Sequence, residues 1–406
     1  MKRPSILAII LAGGAGGRLG VLTDQRSKPS VPFGSHYRLI DIPLSNLKHS
    51  HISDVWIVEQ YLPYSLNDHI ANGRPWDLDR THGGLQILPP YQGADGEGFA
   101  EGNADALYRQ AKLIRDFDPD LVLVLSADHL YRLDFRDLVD THLQAGAAMT
   151  MVTTEIDGDA SRYGVVQVDD GRVNGFDYKP KEPQGKLVAA EVFLYDAQVL
   201  LDTMDLLADS EAGLQDYGDS LVPHLVEKAV VAEHRLDGYW RDLGTVPSYW
   251  EAHMELLDGG GFNLHNPGWP VLTASPQLMP AFIAAGARIE DSLIAAGAAV
   301  HGTVQRSVIG PGAVVEEGAV VADSVLLHNV RVGRDAQLVR VIADDGVVVG
   351  RNAKIGDDGD IAVLGARSQV PANLSVAAGT ELEPDSDTSD ADGSTDQPGN
   401  GTSASK

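Results

Sequence analysis

The sequence predicts two folds in series, an α/β domain on a mostly parallel sheet and then a left-handed parallel β-helix. Three observations carry that expectation. Residues 1 to about 255 alternate strand-length apolar runs with helical segments, which implies a parallel sheet covered by helices on both faces. A composition break follows at Gly259-Gly260-Gly261 and Asn266-Pro267-Gly268. Beyond it Val308, Val314, Val320, Leu326, Val332 and Leu338 fall at six-residue steps, and Val349, Ile355 and Ile361 resume the step after a slip. Small residues and Gly lie between them, as in hexapeptide coils. An antiparallel β-domain has a period of two and would not hold that register.

Taken in order, the apolar runs at 6–11, 55–58, 121–125 and 149–152 read as strands, with a helix over 105–116. Lys2 and Arg3 ahead of the first run imitate a short signal peptide, but the run leads directly into Gly13-Gly14-Ala15-Gly16-Gly17. A buried first strand ending in a glycine loop explains it better. The expected division is a catalytic domain over 1–255, a linker over 256–280, the β-helix over 281–380 and a disordered acidic tail over 381–406. That last segment is Asp, Ser, Gly and Thr with almost no apolar residue to offset its ordering entropy.

The chain has 406 residues, 43% of them hydrophobic, enough for sizeable cores. Its 31 Lys and Arg against 58 Asp and Glu give a net charge of −27. The tail's seven acids and one Lys account for six of those charges, so the folded part is acidic too. A field of that sign disfavours nucleic acid and anionic lipid as partners. An anionic substrate therefore needs a locally basic pocket. With no Cys, disulfide scaffolds and thiolate chemistry are excluded. No stretch approaches a spanning helix, and the expected location is the cytoplasm.

Chemistry is expected beyond the carboxyl ends of the strands. There Leu11-Ala12-Gly13-Gly14-Ala15-Gly16-Gly17-Arg18 offers backbone N–H groups that can approach a phosphate, while Arg18 and Lys28 add positive charge. The dinucleotide fingerprint fails because its third glycine would be Leu19, and no G-K-[ST] follows to make a P-loop. Asp128, in Leu125-Ser126-Ala127-Asp128-His129, ends a strand where a carboxylate can hold a hard cation or merely cap a helix. His129 reads as structural.

The stretch 9–23, followed by Lys28-Pro29-Ser30-Val31-Pro32-Phe33-Gly34 and Tyr37-Arg38-Leu39-Ile40-Asp41-Ile42-Pro43-Leu44-Ser45-Asn46, resembles the sugar-1-phosphate nucleotidyltransferases. Within them it looks most like the glucose-1-phosphate adenylyltransferase (ADP-glucose pyrophosphorylase) family. The resemblance runs over roughly 5–370. It implies a Rossmann-like nucleotidyltransferase sheet before the β-helix, and transfer of AMP from ATP to a hexose 1-phosphate. Glucose 1-phosphate is the expected acceptor, giving ADP-glucose and pyrophosphate for glycogen or α-glucan synthesis. It further implies Mg²⁺ on Asp128 and on Asp242 of Tyr239-Trp240-Arg241-Asp242, with Lys28 on the nucleotide phosphates. Nucleotide binding falls to Leu11, Ala12, Gly13, Gly14, Gly16, Gly17, Arg18, Gly102 and Asn103. Sugar-phosphate binding falls to Gly164, Tyr178, Lys179 and Glu191, Lys179 holding the phosphate. A homotetramer under a small-metabolite effector is the family's usual form.

Three positions depart from the family pattern. Tyr178 replaces the Glu of Glu-Lys-Pro, Ala189-Ala190-Glu191 replaces Ser-Met-Gly, and Phe99-Ala100-Glu101 replaces Trp-Tyr-Arg. A new carboxylate near the hexose would suit an amino sugar such as glucosamine 1-phosphate. Two other readings are a non-catalytic sugar-phosphate sensor and a hexapeptide-repeat acyltransferase using His301 or His328 as a base.

Overall fold

The computed structural model describes residues 3–13, 17–90, 100, 102–210, 213–264 and 266–388. The chain divides into two units, residues 1–276 and 277–406. Strands of the first unit are β1 (Ile6–Ala12), β2 (Asp54–Glu59), β3 (Gly84–Leu88), β4 (Leu121–Ser126), β5 (Met149–Glu155), β6 (Gly164–Asp169), β7 (Arg172–Tyr178), β8 (Leu187–Asp196) and β9 (Val231–Arg235). They form one sheet in the order β3-β2-β1-β4-β8-β5-β9-β7-β6. β1 runs parallel to both β2 and β4, whereas β8 is antiparallel to β4 and β5. The β1 side chains alternate between two cores: Leu7 and Ile9 join Val122 and Val124, while Ala8 and Ile10 join Leu123 and Leu125. A sheet buried on both faces is why its strands read as unbroken apolar runs.

The continuous helix expected over 105–116 is instead two, α2 (Asn103–Tyr108) and α3 (Ala111–Phe117), after α1 (Asp41–His49) earlier in the chain. At Gln110 the backbone N–H bonds to Leu107, three residues back, rather than four. That tightened turn breaks the ladder. The expected linker begins inside α4 (Val246–Asp258), and its middle is docked rather than free. Trp269 Nε1 donates to Asn46 Oδ1 at 2.8 Å and Leu272 N to Ser45 Oγ at 2.9 Å, both on α1.

The second unit is a parallel β-helix of three six-stranded sheets, as the six-residue steps predict. Its two central coils are not the 18 residues that three such steps imply. Ile309 pairs with Leu326, and Leu326 with Ala343, each 17 residues on. In those two coils the pattern is two steps of six and one of five, whereas the coil before them runs 15 residues, from Leu293 to Val308, and the one after them 21, from Val341 to Ala362. For that reason Val315 and Val321 are the fully buried residues of their strands, while Val314 and Val320 are half-buried. The tail starts later than residue 381, because Leu382 pairs with Leu364 and Asp387 bridges Gln369, adding a further partial coil. The rest of the expected tail, 389–406, lies outside the described residues. His328 is paired with Asp345 (3.0 Å), and the His301 ring lies 5.6 Å from that of Phe282.

Candidate active site

A cleft of about 350 Å³ opens beyond the carboxyl ends of β1 and β4. These are the adjacent strands from which the sheet departs in opposite directions, where open α/β sheets hold their ligands. Its floor carries Lys28 and Asp128, with Asp242 against Lys28 just beneath. Asp128 follows β4 directly. Asp242 lies 114 residues later and arrives through a two-stranded ribbon, in which Trp240, Arg241 and Asp242 pair with Tyr131, Leu130 and His129. That antiparallel register sets Asp242 opposite His129 and so beside Asp128. Lys28 opens a short 3₁₀ turn, Lys28–Ser30. The segment after it is clamped by α4: His253 Nε2 accepts from Gly34 N at 3.2 Å, and the Tyr249 hydroxyl donates to the Pro32 carbonyl.

The Lys28 ammonium donates to Asp128 Oδ2 at 2.5 Å and to Asp242 Oδ1 at 3.3 Å. Its side chain is 9% exposed and that of Asp242 7%. Burial would lower the Lys28 pKa, but the two carboxylates outweigh it and hold the ammonium above the ordinary lysine range. Burial likewise opposes the charge on Asp128, yet Lys28, His129 and the Ser126 hydroxyl keep that carboxyl well below the usual range. His129, read from sequence as structural, contacts both acids, its Nε2 lying 3.5 Å from Asp128 and 3.8 Å from Asp242. Its Nδ1 faces the Ala190 carbonyl at 3.3 Å.

One wall consists of residues 215–217 and the turn into α2. Gly102 is extended (φ −166°), so what it needs is space: a Cβ there would lie 2.3 Å from the Gln215 carbonyl carbon. The Asn103 side-chain oxygen accepts from Tyr217 N at 2.6 Å, and Ala104 N donates to the Gln215 carbonyl at 2.9 Å. Asp216 collects Tyr178 OH at 3.1 Å and Lys179 Nζ at 3.7 Å. Opposite, Gln60 sits so close to Gly13 that a Cβ would meet its Oε1 at 2.6 Å. Glu191 enters the cleft from β8 and accepts from Tyr217 OH at 2.8 Å.

Of the sequence-predicted residues, Leu11, Ala12, Gly13, Lys28, Gly102, Asn103, Asp128 and Glu191 line the cleft. Asp242 adjoins it through Lys28. Tyr178 and Lys179 stand one layer back, behind Asp216, and Gly164 lies away from the lining, under the Phe176 ring. Gly17 and Arg18 are exposed, with an Arg18 Nη near Gly244. Gly14 and Gly16 lie outside the described residues, as do Phe99 and Glu101. Sequence reasoning missed Gln60, Tyr61, Phe193, Asp216 and Tyr217. Only the polar Gln215-Asp216-Tyr217-Gly218 loop ahead of an apolar helix could have pointed to the last two.

The floor suits a divalent cation. Its two converging carboxylates are hard oxygen donors, and they already hold a cationic group, the Lys28 ammonium, between them. Donor atoms of Asp128, His129 and Glu191 also lie within 4.8 Å of one another. Among the described residues, no helix is long and apolar enough to cross a membrane.

The family described as nucleotidyl transferase matches residues 7–259, and a GlmU-like C-terminal hexapeptide family matches 282–364. Nucleotidyl transferases generally use a divalent metal. A glucose-1-phosphate adenylyltransferase of Clostridium acetobutylicum is 37% identical over 92% of this chain and 100% of its own length. One of Acetivibrio thermocellus is 32% identical over 95% and 94%, and one of Thermotoga neapolitana 42% identical over 78% and 76%. With matches of that identity running through both units, the chain belongs to the glucose-1-phosphate adenylyltransferase family of nucleotidyl transferases.

Proposed function

We propose that the protein transfers AMP from ATP to glucose 1-phosphate, forming ADP-glucose and pyrophosphate for α-glucan synthesis. The observation that carries this reading is the buried Lys28–Asp128–Asp242 cluster at the switch point of the sheet. An oxygen of the sugar phosphate attacks the α-phosphorus of ATP. The new P–O bond forms as the bond to the β-phosphate oxygen breaks, and pyrophosphate leaves with that electron pair. The nucleophile is already an anion, so the site needs no strong base. Its task is to position two anions and neutralise their charge.

The residues divide that task. Backbone N–H groups after β1 cradle the triphosphate, with Leu11, Ala12 and Gly13 forming the near wall and Arg18 neutralising charge at its edge. Gly102 and Asn103 carry the base-side wall. Lys28 turns from the carboxylates to the nucleotide's phosphates. Lys179 exchanges Asp216 for the phosphate of the sugar. Asp128 and Asp242 would hold Mg²⁺, which supplies Lewis-acid polarisation of the α-phosphoryl group. The reading extends to a cytoplasmic homotetramer controlled by a small metabolite.

The test is pyrophosphate release with Mg²⁺ across a grid of nucleoside triphosphates and hexose 1-phosphates. Turnover with ATP and glucose 1-phosphate is expected, and Asp128→Asn should abolish it while circular dichroism stays native. A near-normal rate for Asp128→Asn in excess Mg²⁺ would sink the metal assignment, and a wholly silent grid would sink the reaction.

A further inference from the structure

Glu191 is the cleft residue whose conformation the transfer chemistry does not explain. It stands in β8 where the pairing with β5 slips between Ala189 and Phe193, and its φ is +56°. A left-handed conformation is unfavourable for any residue with a Cβ, and glycine would take it freely. Such a conformation at a site wall, occupied by a charged residue, points to a use for that side chain. The bulge turns Glu191 out of the strand's alternation and into the cleft, where Tyr217 OH holds one carboxylate oxygen at 2.8 Å. Among the described residues, the other oxygen has no hydrogen-bond partner.

The charge is also out of place for the proposed reactants. Two phosphorylated molecules enter a cleft whose walls carry Glu191 and Asp216 besides the floor acids. Lys28 and Lys179 are both already engaged with acids. An extra carboxylate there favours, over a neutral-sugar phosphate, one that brings its own positive charge. The surroundings fit an ammonium group. Tyr217, which holds the carboxylate, packs against Phe193 at 4.9 Å and Tyr178 at 5.6 Å between ring centroids, an aromatic cluster of the kind that accompanies acids in sites for organic cations.

Resting on the proposed transfer to a hexose 1-phosphate, we infer that Glu191 is a specificity-determining residue that selects an amino-hexose 1-phosphate. Its free carboxylate oxygen accepts from the sugar's ammonium, and the Tyr217 hydroxyl fixes the orientation. A hydroxyl at the same carbon can also donate to the carboxylate, but it brings no positive charge and leaves the carboxylate's charge uncompensated.

The experiment measures kcat/KM for pyrophosphate release from ATP with glucosamine 1-phosphate and with glucose 1-phosphate. It compares the unaltered chain, Glu191→Gln and Glu191→Gly. The unaltered chain should turn over both sugars with the amino sugar favoured, and the ratio of the two kcat/KM values should fall at least tenfold in both variants. Glu191→Gly relieves the left-handed backbone, so it keeps the test open if Glu191→Gln folds poorly. A ratio that stays within threefold of the original in a folded variant overturns the inference, as does turnover of glucose 1-phosphate alone. In those two cases the proposed function stands. Silence with both sugars removes the reaction and the inference together.

Discussion

Lys28 gives the most direct test of how the floor is held together. Replacing it by Met keeps an unbranched apolar stem and deletes the ammonium that sits 2.5 Å from Asp128 and 3.3 Å from Asp242. Breaking a buried ion pair from one side costs about 3–5 kcal/mol, because the remaining charge is stranded. Here two carboxylates are left facing each other, with the His129 ring as the nearest basic group at 3.5 and 3.8 Å. The Asp128 side chain is 22% exposed, so water recovers part of that cost, and the expected loss is about 3 kcal/mol. Urea unfolding followed by circular dichroism, in a chelator, measures it. If the same carboxylates take a divalent cation, added Mg²⁺ should restore stability to Lys28→Met more than to the unaltered chain. In the latter the cation must first displace the ammonium. A free concentration a hundredfold above Kd is worth about 2.7 kcal/mol. Equal midpoints for the two proteins in chelator, or equal gains from Mg²⁺, would refute this account of the floor.

The remaining predictions concern the supports of the site. Burial lowers the His253 pKa to about 4, against about 6.5 in an unfolded chain. Below pH 6.5 the unfolded chain therefore binds a proton that the folded chain refuses until about pH 4, and stability falls as the pH drops through that window. Between pH 7 and pH 5 the share due to His253 is about 2 kcal/mol by that linkage. His253→Gln should flatten the pH dependence of the urea midpoint by that much, and an unchanged slope would assign the acid sensitivity elsewhere. Gly102→Ala forces a Cβ against the Gln215 backbone. It should cost about 1–3 kcal/mol as an overpacked position and raise KM by displacing Asp216 and Tyr217; a normal KM would show that this wall does not touch substrate.

How much of this was legible depends on the range over which each feature is determined. The strands β1, β2, β4 and β5 were readable because double-sided burial makes them continuous apolar runs. The β-helix was readable because each coil repeats its own pattern. Its coil lengths were not, since in the two central coils a mixture of six- and five-residue steps leaves enough apolar residues on a strict six-step to hide the one-residue shift at Val315 and Val321. The helix over 105–116 failed at Gln110 because its break is a single backbone hydrogen bond, with no Pro or Gly to announce it. Asp128 and Asp242 were paired only through the family resemblance. The physical agent is the ribbon register of Trp240–Asp242 against His129–Tyr131, which no local pattern encodes. Gln60, Asp216 and Tyr217 went unnoticed because wall residues are selected by the fold's closure, not by any periodicity.

The site's two lysines are held differently, and that difference bears on how an acidic protein handles anionic reactants. Lys179 stacks over the Tyr178 ring at 4.3 Å and meets Asp216 at 3.7 Å, with its side chain 49% exposed. A pair that long and that wet is worth little, so a phosphate can replace the carboxylate at small cost. Lys28 is 9% exposed and doubly paired. It cannot leave Asp128 and Asp242 unless another positive charge takes its place, since the two acids would otherwise repel each other at low effective dielectric. The net charge of −27 therefore need not repel substrate at the floor, where a buried cation is kept ready against two acids. Any reactant that arrives with its own cation can exchange partners there. A bare anion would have to pull Lys28 away from both carboxylates and strand them, which makes the floor selective for a phosphate already accompanied by positive charge.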